Sequence, residues 1–394
     1  MNSSFRGACA PQQRLVLTLW LAFFSQLALA AEPIQLRWEK AHTVAASDRL
    51  TSYALEIQDY ANVQDADGLL ARLGVDDFAA RMRAQFDANL RQPDGKPFPP
   101  HEIQAVLAQL RPAVKNQFHQ LFSAGQQWEF IRLRKYRLRQ FLLYRVDADN
   151  GKYDFLEFEI APHRQRWQVI DWYTHSTDKW ASLAFTDTLT FSHRAQMAPS
   201  DEHGALLTYL RNKPDDLIGA FDKLAPRFRS ESIIQSALLG FALRSAKAQM
   251  AEVYQRLVAE APANRFLLFK LNYTIEQGDS ERALSYLTGL EKQLGGETQL
   301  SLQKAELLYD LGKSRQADRL LAKIIDSHRD RPLVFYTTLL LLAYYEKYDH
   351  AVLVLNALQQ AFGSELTAQG LAQIDGLEGF LASDAFQRWA AQNL

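Results

Sequence analysis

The chain of 394 residues has one cysteine, Cys9, and no surplus of either charge, with 44 Lys and Arg against 45 Asp and Glu. A lone thiol rules out intrachain disulfides. A near-neutral balance lacks the basic excess with which a nucleic-acid binder neutralises phosphates. No phosphate loop, dinucleotide fingerprint or G-x-S-x-G elbow occurs. The nine histidines are scattered, with no H-x-H or H-E-x-x-H, so no metal site is expected. "DADNGKYDFLEF" (147–158) has glycine at its fifth place and phenylalanine at its twelfth, which is wrong for a calcium loop. No cofactor is expected.

Long apolar runs are also missing, apart from LVLTLWLAFF (15–24) near the start. Arg6 and Arg14 precede that run, and Ala28-Leu29-Ala30 follows it as a small-x-small cleavage site. Residues 15–31 fall short of the ~20 apolar positions of a spanning helix, and Thr18, Ser25 and Gln26 dilute them. The expectation is a bacterial-type signal peptide over 1–30, cleaved near Ala30, that delivers 31–394 to the periplasm. Cleavage removes Cys9, Arg6 and Arg14 but no acid, which moves the formal charge from -1 to -3. The mature chain is then free of thiols and of transmembrane segments.

The remainder reads as two architectures. Over 47–90, Leu50, Tyr53, Leu55, Ile57, Tyr60 and Val63 recur at roughly helical spacing. Asp76-Asp77 can cap a second helix. "PDGKPFPP" (93–100) is a breaker, and helix resumes at 101–122, where Pro112 marks a break or a first turn. The period then changes to two. "EFIRLR" (129–134) reads as a first strand, and 139–160 is a hairpin around the turn residues 147–151. "RWQVIDWYT" (166–174) is a further strand. Strict alternation would put Trp167, Val169, Asp171, Tyr173 and His175 on one face of that strand and Ile170 and Trp172 on the other. "RLRKYRLR" (132–139) carries five basic residues in eight. Its expected role is an outer sheet face paired with Glu157 and Glu159. Helices followed by antiparallel strands indicate an α+β domain.

The element order, with "GKYDFLEFEI…RWQVIDWY", resembles the NTF2-like (cystatin-like) α+β superfamily over about 45–190. The resemblance implies a curved antiparallel sheet and helices that can enclose an apolar pocket. A catalytic or ligand-binding use of that pocket would draw on Asp171 and His175, with Tyr173 or Tyr144. The plainer reading of 171–180 is an aromatic strand end packed on a helix, with Asp178 and Lys179 in a turn.

"QMAPSDEHG" (196–204) is polar and aperiodic, a linker between a domain over 31–195 and a helical region over 205–394. In that region Ala283, Ala317 and Ala351 lie 34 residues apart, as do Gly278, Gly312 and Glu346, and Leu287, Leu321 and Leu355. A 34-residue helix–turn–helix period resembles the tetratricopeptide repeat (TPR) family. Units are expected at 264–297, 298–331 and 332–365, with 366–394 as a cap closed by Phe380, Phe386 and Trp389. A fourth unit, out of strict register, is expected at 232–262. Departures are plain: the fourth position lacks tryptophan, and the small residue usual at the eighth is Leu271 and Leu339, with only Ala305 conforming.

The resemblance implies an all-α superhelical solenoid whose first helices line a concave groove for a peptide. By position the groove would hold Asn272, Ile275, Glu276, Leu302, Glu306, Tyr309, Asp310, Tyr336, Leu340 and Tyr344. That set is acidic and aromatic and suits a basic or mixed peptide. The expectation is a non-enzymatic periplasmic scaffold that binds another protein.

Overall fold

The sheet begins at a short strand, β1 (His42–Val44), and is completed by β2 (Gln127–Tyr136), β3 (Arg139–Asp147), β4 (Tyr153–His163), β5 (Arg166–Thr174) and β6 (Lys179–Trp180). All neighbours are antiparallel, in sequence order β1 to β6. The computed structural model describes residues 40–89, 99–108, 110–122, 126–148, 153–164, 166–187, 202, 204–206, 217–229, 234–235, 238–239, 251–256, 265–363 and 367–393. The expected signal at 1–30 lies outside them, as do most of the expected linker and most of 232–262.

Among the described residues, five helices lie between β1 and β2: α1 (Asp48–Asn62), α2 (Ala66–Ala71), α3 (Val75–Asn89), α4 (Pro100–Ala108) and α5 (Leu110–Leu121). Ser47 caps α1, its hydroxyl oxygen accepting from the Leu50 N–H. The buried stripe of α1 is Leu50, Tyr53, Ala54, Ile57 and Ala61. Leu55 and Val63 belong to the apolar spacing in the sequence but are 44% and 74% exposed. The 3.6-residue turn carries them off the stripe, and alanines take their places. Pro112 falls in the first turn of α5, where no N–H is needed.

One sheet face packs on these helices. The register sets Leu142 opposite Phe158 and Phe158 opposite Trp172. The Trp172 ring stacks on Phe78 of α3 at 5.4 Å and meets Phe118 of α5 at 5.0 Å. Each such buried ring contributes about 1.5–3 kcal/mol by leaving water.

Strand β5 departs from strict alternation. Glu159 pairs with Asp171 but Ile160 with Val169, so Ile170 is the extra residue of a β-bulge. Val169 therefore faces the helix-side core together with Trp172, and Trp167 packs against that same core. Asp171 and Tyr173 stay on the opposite face, in register with Glu159 and Glu157. The single expected face is split at the bulge.

That second face is also covered. Ala41, Phe141, Tyr173, Trp180 and Leu183 form a smaller buried cluster. The helical segment 181–187 follows β6 directly. Lys179, expected in a turn, lies in β6 and is buried against Asp187.

Chain contacts divide the molecule into two compact units, Met1–Tyr273 and Thr274–Leu394. The short helices α6 (Leu217–Asp222) and α7 (Pro226–Arg229) belong to the first. The division falls within α8 (Leu267–Glu276). Beyond it come α9 (Ser280–Leu294), α10 (Thr298–Asp310), α11 (Ser314–Ser327), α12 (Pro332–Tyr344), α13 (Tyr348–Phe362), α14 (Ala368–Leu371), α15 (Glu378–Leu381) and α16 (Asp384–Asn393). The fold class is thus mixed α+β, with a six-stranded antiparallel sheet and a helical C-terminal region.

The 34-residue period is written into the turns. Gly278, Gly312 and Glu346 all have positive φ, at 70°, 69° and 56°. Their N–H groups donate to Ile275, Tyr309 and Ala343, and the next N–H groups to Thr274, Leu308 and Leu342. Ala283, Ala317 and Ala351 are fully buried near the starts of α9, α11 and α13, where any larger side chain would push the helices apart. Phe380, Phe386 and Trp389 join the same core as Leu321 and Leu355. Trp389 also donates its indole N–H to Asn356 Oδ1 at 2.7 Å. No helix among the described residues is long and apolar enough to cross a membrane.

Candidate functional site

Two polar constellations stand out, one on the covered sheet face and one on the helical unit. On the sheet, Asp171 is buried. Its carboxylate accepts from the Ser182 hydroxyl at 2.6 Å, the Ser182 N–H at 3.1 Å and Arg81 Nη1 at 3.4 Å. Burial pushes its pKa up to about 6, against the opposing pull of Arg81 and Ser182. Arg81, from α3, also grips Glu159 with two bonds of 2.6 Å. Arg139 Nε holds the same carboxylate at 2.8 Å. Burial alone would raise Glu159, but these two guanidinium groups hold it below the usual carboxylate range.

His175 belongs to a separate group. Its Nε2 lies 3.1 Å from Glu157 Oε1, and that oxygen also accepts from Arg134. Arg134 and Glu157 are fully buried and His175 nearly so. Glu157 Oε2 has no hydrogen-bond partner among the described residues. The Tyr173 hydroxyl donates to Asp178, which Arg265 also holds at 2.9 Å. Tyr144 is on the other sheet face, its hydroxyl donating to the Ala54 carbonyl at 2.8 Å. Of the four residues of the pocket reading, Tyr173 and His175 are in ring contact at 4.9 Å, while Asp171 and Tyr144 bond elsewhere.

Sequence reasoning paired the basic run 132–139 with Glu157 and Glu159, and the ion pairs Arg134–Glu157 and Arg139–Glu159 are those contacts. The Arg134 pair is buried within the molecule instead of lying on an outer face. Arg81 and Ser182 were missed, because nothing local in the sequence ties α3 or the segment after β6 to Asp171.

On the helical side, Asn272 lies in the first unit and the other nine expected groove residues in the second. Leu302 and Tyr309 are buried core residues. Ile275, Tyr336 and Leu340 are half-buried, and Glu276, Glu306, Asp310 and Tyr344 exposed. Tyr309 stacks on Tyr345 at 4.7 Å, and Tyr344 meets Tyr345 edge-on at 5.0 Å. The Tyr345 hydroxyl donates to Asp310 and lies 3.3 Å from the Glu306 carbonyl. Tyr309 donates to Asp318 at 2.6 Å. Burial, then the neighbouring Asp310, raises the pKa of Glu306. Tyr345 was missed, although it lies next to Tyr344 at the end of α12.

Among the described residues no group of three or more His, Cys, Asp or Glu is arranged to hold a metal ion. No family model matches the chain, and no curated protein or solved structure matches it.

Proposed function

We propose that the protein is a non-enzymatic, exported scaffold in which an NTF2-like α+β domain precedes a TPR-like helical array, and that the array holds a basic segment of a partner protein. The observation that carries this reading is the acid-and-tyrosine face on α10 and α12. Glu306 and Asp310 are one helical turn apart and form no ion pair with a cation among the described residues. Their mutual repulsion and the raised Glu306 pKa are relieved by a Lys or Arg from outside. Tyr344, 77% exposed, and the half-buried Tyr345, stacked on Tyr309 of the core, add flat apolar surface beside the charge.

The repeated turn geometry supports the array, since one bonding pattern recurs at Gly278, Gly312 and Glu346. The alternative, a ligand or catalytic pocket using Asp171, His175, Tyr173 and Tyr144, draws on the pKa of about 6 at Asp171. It is the weaker reading, because Arg81 and Ser182 already occupy both oxygens of that group.

Cross-linking in the periplasm, read by mass spectrometry, tests the scaffold reading. Glu306→Lys with Asp310→Lys should abolish the principal heterotypic cross-links while the circular dichroism spectrum is retained. An unchanged cross-link set sinks it.

A further inference from the structure

A second surface lies on the opposite side of α12 from Tyr336, Leu340 and Tyr344. It is a groove of about 770 Å³ walled by α11 and α13 and floored by Phe335, Thr338 and Leu342 of α12. The walls start together at the Asp318–His350 contact of 3.3 Å. They run to Arg329, in the turn after α11, and to Ala361 on α13, which lies roughly 16 Å along the helix from His350 at 1.5 Å per residue.

The preceding unit shows what would close such a groove. Thirty-four residues earlier, the counterpart of Thr338 is Lys304 and that of Ile325 is Glu291, and these two form an ion pair at 2.6 Å. The counterparts of Ala357 and Leu353 are Lys323 and Arg319, and that of Phe335 is Ser301. At every one of these places the later unit replaces a polar or charged side chain with an apolar or shorter one. Leu353 is left 63% exposed on the rim.

Two polar groups in this groove have no partner among the described residues. Thr338 is fully buried, yet its hydroxyl forms no hydrogen bond. Its neighbour Thr337 back-bonds to the Leu333 carbonyl at 2.9 Å, the usual resolution for a helical threonine. At the rim Asp318 is engaged by Tyr309 and His350, and Asp326 by Arg329. Arg319 is then the lining charge with no ion partner among the described residues.

We infer that this groove docks an amphipathic helix of a partner protein, about three turns long. Its apolar stripe lies on Ile325, Leu353 and Ala357, above the buried Phe335 and Leu342, and a carboxylate faces Arg319. Anchors at i, i+3 or i+4 and i+7 span about 10 Å and fit between the ends of the walls. The surface is distinct from the acidic face and carries the opposite free charge.

Two synthetic amphipathic helices of about 14 residues serve as probes. They share one leucine stripe and differ by Glu or Lys at the end that reaches Arg319. Binding to the full chain is read by fluorescence anisotropy, with hexadecanoate as competitor. The Glu peptide should bind at least about tenfold tighter than the Lys peptide, and Arg319→Glu should reverse that order. Grafting the closing pair, Thr338→Lys with Ile325→Glu, should weaken the Glu peptide at least about tenfold. Leu353→Arg, at an exposed position, tests the same closure should the graft fail to fold. Binding of neither peptide up to about 1 mM overturns the proposal. So do equal binding after closure and displacement by hexadecanoate at stoichiometric levels, the last of which would make the groove a site for amphiphiles.

Discussion

In the sheet unit, Glu157, Glu159 and Asp171 each meet an arginine, and Asp154 is held by the hydroxyl and N–H of Ser176. In the helical unit, Asp310 meets only tyrosine and serine hydroxyls, and among the described residues neither Glu306 nor Arg319 of α11 has an ion partner. Both regions place charges among aromatic rings, but they differ in whether the charge is answered internally. Buried charges paired inside the chain hold neighbouring strands in register and have their charge answered without a ligand. Unanswered charges at a surface cost little while water solvates them and become the basis of recognition when a partner arrives. The difference is the ground on which the proposed scaffold reading places binding in the second region.

The largest expected effect comes from breaking the most buried pair. Arg134→Met leaves Glu157 charged in the interior and should lower unfolding free energy by about 3–5 kcal/mol. Adding Glu157→Leu should recover much of that loss, because the pair gains little over apolar packing of similar volume. Urea titration of the two single variants and the double variant measures it. Recovery would confirm that the sheet ions are architectural, whereas persistence of the full loss in the double variant would contradict it.

Next in size is the titration of Asp171. Its carboxyl titrates at about 6 in the folded chain, against ~3.9 unfolded. Between those values the folded state holds the extra proton, so this group's contribution to stability falls as pH rises from about 4 to 6. Glu159 acts in the opposite sense, since its lowered pKa gives stability that is lost as pH falls through the folded value. Asp171→Asn should flatten the first dependence and gain on the order of 2–3 kcal/mol at pH 7 relative to pH 4. Urea melts at the two pH values check this.

How far these features could be read beforehand depended on how local their causes were. The 34-residue period was visible because each turn and each buried alanine is set by residues within a few positions of it. The strands β2 to β5 showed as alternation for the same reason. The two-residue β6 and three-residue β1 are too short to carry a period. The bulge at Ile170 was invisible, since only the partner strand's register reveals an extra residue. It reversed the face of Val169 and Trp167 relative to Asp171. The partners of Asp171 were equally hidden, Arg81 being 90 positions away. Charge pairs along the sheet were legible, but their depth was not, because burial depends on what lies over the second face.

The alanine positions sharpen the contrast from the other side. Ala317 is fully buried where α11 opens. Ala317→Leu should lower stability by about 1–3 kcal/mol through overpacking and shift the thermal melting midpoint down. An Ala→Leu change at exposed Ala322 of the same helix should leave the melt within about 0.5 kcal/mol of wild type. Equal effects at the two sites would mean that the repeated alanine has no packing role.

The smallest effect tests whether the repeated turns are equivalent in energy as well as in geometry. Gly312 and Glu346 share one left-handed conformation, φ 69° and 56°, but only one is glycine. A Cβ built at Gly312 meets no atom within 4 Å, so Gly312→Ala carries backbone strain alone, about 1 kcal/mol. Glu346→Gly removes that same strain. Part of the gain is offset by the freedom glycine adds to the unfolded chain, leaving about 0.5 kcal/mol of net stabilisation. Differential scanning calorimetry of both variants should therefore show melting midpoints displaced in opposite directions. Displacement in the same direction would mean that the two turns are held by different interactions despite their matching hydrogen bonds, and the period would then describe the backbone alone.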